Sequence, residues 1–275
     1  MSSIAIVILN YKAYHETEKC IDSIINNRMD VAGIVVVDNA SGNESVSCLR
    51  RKYQGNNKIK IVKSNKNLGF AKGNNLGIKV AKTLWKAEFV LLLNSDTVML
   101  EKDYVAKLLS AYEYGTGVMQ TNALRLNGRY TQRNYGEYTL SGMLFETVKE
   151  MFSYYNIYFP RKLKKPAEDT LGPWISGCDI LLTPDYFKIF RGLYPLTFLY
   201  GEEYILAMML RKAKLEWKVV EDAHILHAES KSTPADFKEG TRKKKKMMLN
   251  TKKHKIFVRV MPLNILRLII NYGKW

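Results

Sequence analysis

The sequence predicts an α/β fold: a mainly parallel sheet with helices on both faces. Three observations carry this. Four short strand-like runs occupy the first hundred residues: IAIVIL (4–9), GIVVVD (33–38), KIKIV (58–62) and FVLLLN (89–94). Segments of helical spacing separate them, the βαβ rhythm of a parallel sheet. The runs at 4–9, 33–38 and 89–94 are continuously apolar, as strands buried on both faces must be. With 47% hydrophobic residues over 275 positions, the chain can build a large core.

The elements follow in order. Residues 16–27 are the first predicted helix, with Cys20, Ile21, Ile24 and Ile25 on one face. Residues 44–53 are the second, and a helix from about Ala71 to Leu84 the third. Right-handed crossovers then set the strand ends Asn10, Asp38 and Asn94 along one edge of the sheet. Further on, residues 101–113 read as a helix and 153–169 as a long surface loop within a polar, aromatic region (120–172). WISGCDILL (174–182) returns to a strand, PDYFKIF (184–190) starts a helix and EEYILAMMLRKA (202–213) is another. WKVVED (217–222) and AHILHA (223–228) read as short strands. From about Asp236 the chain is helix-prone, with Pro262 as a break or kink. The expected division is a main domain over 1–235, in halves 1–100 and 101–235, and a basic C-terminal helical segment over 236–275.

The formal net charge is +17, and eleven Lys and Arg with no Asp or Glu fall between Gly240 and Trp275. Such a block meets phosphate, on a nucleic acid or an anionic membrane. The rest of the chain shows no nucleic-acid motif, which disfavours that partner. Within the tail, Ile256, Val260, Leu263, Leu266 and Ile270 recur at helical spacing, with Arg259 and Arg267 between them. This fits a helix packed on the domain or in a homodimer interface, and equally an interfacial helix on an anionic leaflet. Cys20, Cys48 and Cys178 are widely spaced without metal-type spacing, pointing to a reducing compartment. The opening MSSIAIVILNY lacks a basic n-region and a cleavage site and reads as a first strand.

Four stretches carry possible chemistry, each with a plainer alternative, and a fifth holds two histidines. VLLLNSD (90–96) ends a strand either in a turn or in a ligand site at the sheet's carboxyl edge. VVVDNASGN (35–43) is either a strand-to-turn transition or places Asp38 to accept from a nucleobase or ribose. NKNLGFAKGNNLGI (65–78) is a Gly- and Asn-rich turn opening a helix. It lacks both the dinucleotide-binding spacing and a Gly-Lys-Ser/Thr ending, but its helix N-terminus can face a diphosphate. Glu202 and Glu203 open a helix, where they serve the macrodipole or supply a general base. His224 and His227 are an odd number of residues apart, so on a strand they face opposite ways and do not share one metal.

The motifs VILNYK, VVVDNASGN, NLGFAKGNNLG, LLLNSD, ISGCDILL, YGEE and HILHAESKST occur in the order and spacing of family 2 glycosyltransferases of the GT-A fold. The chain resembles that family over roughly residues 3–235, most closely the bacterial rhamnosyltransferase-type enzymes of cell-surface polysaccharide synthesis. The resemblance implies a GT-A, Rossmann-like, mixed and mainly parallel sheet, whose 1–100 half binds nucleotide and whose 101–235 half faces the acceptor. It implies that Asn94-Ser95-Asp96 stands at the Asp-x-Asp position, with Asp96 holding a divalent cation (Mg²⁺ or Mn²⁺) and His227 completing the metal site. It implies donor contacts from Asn10, Tyr11, Asp38, Asn67, Gly69, Gly73, Asn74 and Asn94. Glu202 and Glu203 match a Glu-Asp pair whose second carboxylate is the catalytic base, so Glu203 takes that place with Glu202 next in line.

Two departures stand out. The pair is Glu-Glu, and apolar Ile205, Ala207, Met208 and Met209 follow where the family often has an acidic residue. Ala228, Glu229 and Ser230 replace glycines after the histidine. The implied activity is inverting, metal-dependent transfer of a sugar from a nucleotide diphosphate sugar, dTDP-L-rhamnose or a UDP-sugar. The acceptor is a saccharide, lipid-linked by the family's habit, and the enzyme cytoplasmic and peripheral to the inner face of the membrane. The alternative is a catalytically silent scaffold that binds sugar nucleotide or partners.

Overall fold

The computed structural model describes residues 3–126, 128, 130, 175–199 and 202–228. The expected loop at 153–169 and the C-terminal segment at 236–275 lie outside them. The sheet is mixed and mainly parallel. Strands β1 (Ile4–Asn10), β2 (Gly33–Asp38), β3 (Ile59–Lys63) and β4 (Phe89–Asn94) run parallel, with β1 between β2 and β4. Beyond β4 come β8 (Asp179–Leu182), antiparallel to both neighbours, then β6 (Thr116–Thr121) and β9 (Glu216–Val220), in the order β3-β2-β1-β4-β8-β6-β9.

Both faces of this sheet are covered, which is why β1, β2 and β4 read as near-continuous apolar runs. Ala5 and Val7 of β1 join one core layer with α3 (Gly69–Trp85), α5 (Pro184–Ile189) and α6 (Glu202–Ala213). Ile4, Ile6 and Ile8 join the other with α1 (Tyr14–Asn26), α2 (Ser45–Lys52) and α4 (Tyr104–Ser110). The period-2 alternation of the strand thus feeds two layers. Burying each Val or Ile side chain among them contributes roughly 1.5–3 kcal/mol. The apolar residues after the Glu-Glu pair belong to the first layer: Ile205, Ala207, Met208 and Met209 are all buried.

The glycines of α3 recur every fourth residue, on one helix face. A side chain at Gly73 would come within 2.6 Å of Leu9 Cδ1, and one at Gly77 within 2.3 Å of Val7 Cγ1. These glycines let α3 lie close on β1, which accounts for part of the Gly-rich pattern by packing alone.

A second, three-stranded sheet joins β5 (Thr97–Met99), β10 (Ile225–His227) and β7 (Leu124–Arg125), in the order β5-β10-β7. β5, β6 and β7 have no counterpart in the sequence reading. The expected helix at 101–113 is shorter, and the chain turns into β6 at Thr116. The strand expected at 174–182 begins only at Asp179, because residues 177 and 178 form a turn. Among the described residues, no helix is long and apolar enough to cross a membrane.

Candidate active site

The sheet register places the candidate residues on one edge. Asn10 pairs with Asp38, and Leu9 with Asn94, so three strand ends finish within one residue of each other. A second strand layer then brings His227 to the same place: β10 pairs antiparallel with β5, with His227 opposite Thr97.

The turn after β4 is held by its backbone. Asn94 N donates to Cys178 O at 3.0 Å, and Thr97 Oγ1 donates to Asn94 O at 2.8 Å. Ala228 N donates to Asp96 O at 2.9 Å. With the main chain so fixed, the Asp96 carboxylate meets His227, Oδ1 to Nε2 at 3.4 Å. That is long for a hydrogen bond. It is a few tenths of an ångström wider than the roughly 3.0 Å between adjacent ligand atoms around an octahedral ion that holds each at about 2.1 Å. One carboxylate and one imidazole are a donor set such ions accept, manganese in particular. Among the described residues no group of three or more His, Cys, Asp and Glu gathers, so other ligands would come from substrate or water. His224 is engaged elsewhere: its Nδ1 lies 3.2 Å from Glu101 Oε1 and its backbone N also donates to that oxygen. The two histidines therefore do not share a site.

Two buried thiols lie under this corner. Burial pushes the Cys20 thiol up to about 12, a bond with Thr97 opposes the shift, and the Asp96 charge adds to it. Burial and the neighbouring carboxylates, Asp179 ahead of Asp96, raise Cys178 likewise. Both stay protonated and inert.

The nucleotide-side residues form one connected network. Asp38 Oδ2 accepts from Asn10 Nδ2 at 2.7 Å and from Ser41 Oγ at 2.5 Å, and Oδ1 accepts from Ser41 N at 3.1 Å. Asn10 Oδ1 in turn accepts from Thr17 Oγ1 at 2.9 Å. Asp38 and Asn10 are both buried, whereas Tyr11 beside them is 45% exposed. Asn39, which sequence reasoning passed over, links the strand end to the loop before α3. Its Nδ2 donates to Asn67 Oδ1 at 3.1 Å and to Gly69 O at 3.2 Å, and its Oδ1 accepts from Leu68 N at 2.8 Å. Asn67 Oδ1 also accepts from Gly69 N at 2.9 Å. Gly69 has φ +78°, and a side chain there would come within 2.2 Å of Phe198 O, so only glycine fits. Asn74 is buried, with Nδ2 donating to Phe70 O at 3.1 Å and Oδ1 without a partner among the described residues. Gly73 faces Leu9 and Asn39.

The carboxylate pair divides. Glu202 is buried. Glu203 is partly exposed, and its Oε1 would lie 2.6 Å from a side chain at Gly177. Gly177 adjoins Cys178, whose carbonyl holds Asn94, so Glu203 stands on the Asp96 edge of the sheet. Burial pushes its carboxyl above the ordinary range, which makes it a stronger base.

Asp179 was not singled out from the sequence. It is fully buried, and its Oδ2 accepts from Thr121 N at 2.7 Å, Thr121 Oγ1 at 2.7 Å and Tyr104 Oη at 3.2 Å. Burial outweighs these bonds and raises it from 3.8 to about 6. The folded chain then binds a proton more tightly than the unfolded chain. The associated stability is fully present below about pH 3 and lost as pH rises through 6, worth about 3 kcal/mol. Substitution of Asp179 by Asn should abolish this slope. The stability difference between wild type and variant should change by about 3 kcal/mol between pH 3 and 7 in urea unfolding. A constant difference would contradict the assignment.

Residues 3–173, more than half of the chain, match the family described as glycosyl transferase family 2. The chain belongs to that family. A low-salt glycan biosynthesis hexosyltransferase of Haloferax volcanii is 32% identical over 103 residues. That match covers 38% of this chain and 31% of the relative, so the chain spans about a third of the relative's length. Among solved structures, S. aureus TarS (residues 1–349) with UDP is 18% identical, with TM-score 0.54, covering 83% of this chain and 61% of that one. The mannosyltransferase PcManGT from Pyrobaculum calidifontis, with GDP-Man and Mn²⁺, is 13% identical, with TM-score 0.55, covering 98% and 74%. GalNAc-T7 with UDP, GalNAc and Mn²⁺ is 12% identical, with TM-score 0.60, covering 83% and 44%. At these identities the likeness establishes the GT-A fold. In this family 2 member that fold sets Asp96, His227 and Glu203 on one sheet edge.

Proposed function

We propose that the chain transfers a sugar from a nucleotide diphosphate sugar to a saccharide hydroxyl with inversion. The observation that carries this is the meeting of Asp96 and His227 at 3.4 Å on the sheet edge that also bears Glu203. The acceptor hydroxyl gives its proton to the Glu203 carboxylate as its oxygen attacks the anomeric carbon. The bond from that carbon to the diphosphate oxygen breaks, and its electron pair leaves with the diphosphate. Attack opposite the leaving group inverts the configuration. A divalent cation held by Asp96 and His227 would supply positive charge against the leaving diphosphate. Asn94, uncharged at the first position of the motif, suits the donor or a water rather than the ion.

Asp38, Asn10, Tyr11, Asn67, Gly69, Gly73 and Asn74 are assigned to the nucleotide and diphosphate. The Asp38–Asn10–Ser41 network and the Asn39 links to the loop before α3 support that reading. The donor is dTDP-L-rhamnose, with a UDP-sugar second. The acceptor is lipid-linked, which gives the basic tail at 236–275 a place on an anionic cytoplasmic leaflet. A flotation assay with anionic vesicles, with and without residues 240–275, checks the tail; vesicles that never retain the full chain rule it out.

The donor assignment is tested by thermal shifts with dTDP-L-rhamnose, UDP-sugars and GDP-mannose, each with Mn²⁺ or Mg²⁺. A true donor at 100 times its Kd stabilises the fold by about 2.7 kcal/mol. No shift from any sugar nucleotide would refute the reading.

A further inference from the structure

The segment leading into α6 is fastened to α3 at two points. Asn75 makes a two-way amide clasp on Leu193: its Oδ1 accepts from Leu193 N at 2.7 Å, and its Nδ2 donates to Leu193 O at 2.7 Å. The partners are 118 residues apart in sequence. Gly192 is shaped to this clasp, since a side chain there would come within 2.4 Å of Asn75 Oδ1. Five residues on, Phe198 O accepts from Phe70 N at 2.8 Å, over the glycine at position 69. Leu193 and Tyr194 share a core layer with Ile205 and Leu206 of α6. The stretch 192–198 therefore ties the N-terminal turns of α3, where the donor loop ends, to the helix that opens with Glu202 and Glu203. Neither Asn75 nor Gly192 has a place in the chemistry described above.

We propose that Asn75 is a positioning residue: its clasp on Leu193 sets where Glu203 stands relative to the donor-binding turn of α3. The proposal rests on Glu203 being the base. A side-chain amide that satisfies both backbone groups of one residue leaves that residue little freedom. General-base transfer is sensitive to displacements of about 1 Å, which cost up to about 100-fold in rate. Loosening the clasp should reduce turnover while sparing donor affinity, because the Asp38, Asn39 and Asn67 network does not pass through Asn75.

The test uses the full chain and its Asn75→Ala, Gly192→Ala and Glu203→Gln variants. Hydrogen exchange reads the clasp without any activity: Asn75→Ala should speed exchange at the Leu193 amide by at least about 10-fold. Nucleoside diphosphate release, with Mn²⁺ and whichever of dTDP-L-rhamnose, UDP-N-acetylglucosamine or GDP-mannose the wild type consumes, reads function. Both Asn75→Ala and Gly192→Ala should lower kcat about 10- to 100-fold, with donor Kd within about 3-fold of wild type. Their acid limb should move down toward the ordinary carboxylate range, because a loosened Glu203 is less desolvated. Unchanged exchange at Leu193, unchanged kcat, or a Kd that worsens as much as kcat falls would each overturn the proposal. A Glu203→Gln protein with wild-type turnover would instead refute the base assignment, so the two failures are told apart. If the wild type consumes none of the three donors, exchange still decides: unchanged protection at Leu206 in Asn75→Ala, with Leu193 deprotected, overturns the coupling to α6.

Discussion

Replacing Asp96 by Ala should lower transfer by about 100- to 1,000-fold, the usual loss when a preorganised electrostatic contact to a leaving group disappears. The fold should survive the change. The turn is held by main-chain bonds and by Thr97 Oγ1 to Asn94 O, none of which uses the Asp96 carboxylate. The substitution also removes a negative charge that raises the buried thiols of Cys20 and Cys178. The melting temperature should therefore stay within a few degrees of wild type while activity collapses. A matched loss of stability and activity would mean that Asp96 is only a structural turn residue.

Replacing Glu203 by Gln should cost at least about 100-fold in kcat, the lower range for losing a general base. Donor affinity should be retained, because the amide keeps the size of the carboxylate beside Gly177. The wild-type rate should fall as pH drops through the Glu203 pKa. Since burial raises that pKa, the acid limb should lie above the ordinary Glu value of about 4.3. Near-wild-type turnover of a folded Glu203→Gln protein would pass the role to Glu202.

The fold was legible where pattern and burial agree. GIVVVD and FVLLLN became β2 and β4 with the bounds read from sequence, because a strand buried on both faces has no polar position to blur its ends. EEYILAMMLRKA became α6 in the same way. Of the small sheet only β10 was legible, inside AHILHA; β5 and β7 span three and two residues, too short for any periodicity. β6 was missed because TGVMQT is buried along its whole length yet reads as mixed polarity, its Gly117 pressed against Leu210.

The candidate site divides along the same line. Asp96, His227 and Glu203 were reached through motif order, and the structure places them on one edge. Asn39, Asn75 and Asp179 were not reached, because an Asn or a buried Asp announces no bond partner in sequence. The partners of Asn75 and Asp179 lie 118 and 58 residues away. The glycines of α3 carried a double signal. Gly69 answers to a positive φ and to Phe198, while Gly73 and Gly77 answer to β1.

On the proposed reading, Asp96 and His227 form a cation-dependent diphosphate site. Titration calorimetry of UDP, dTDP and GDP against wild type and Asp96→Ala, with and without Mn²⁺, addresses it most directly. One nucleoside diphosphate should bind the wild type at least about 10-fold more tightly with Mn²⁺, and Asp96→Ala should lose this gain. Binding that is equally tight without the ion, or equally ion-dependent in the variant, would contradict it.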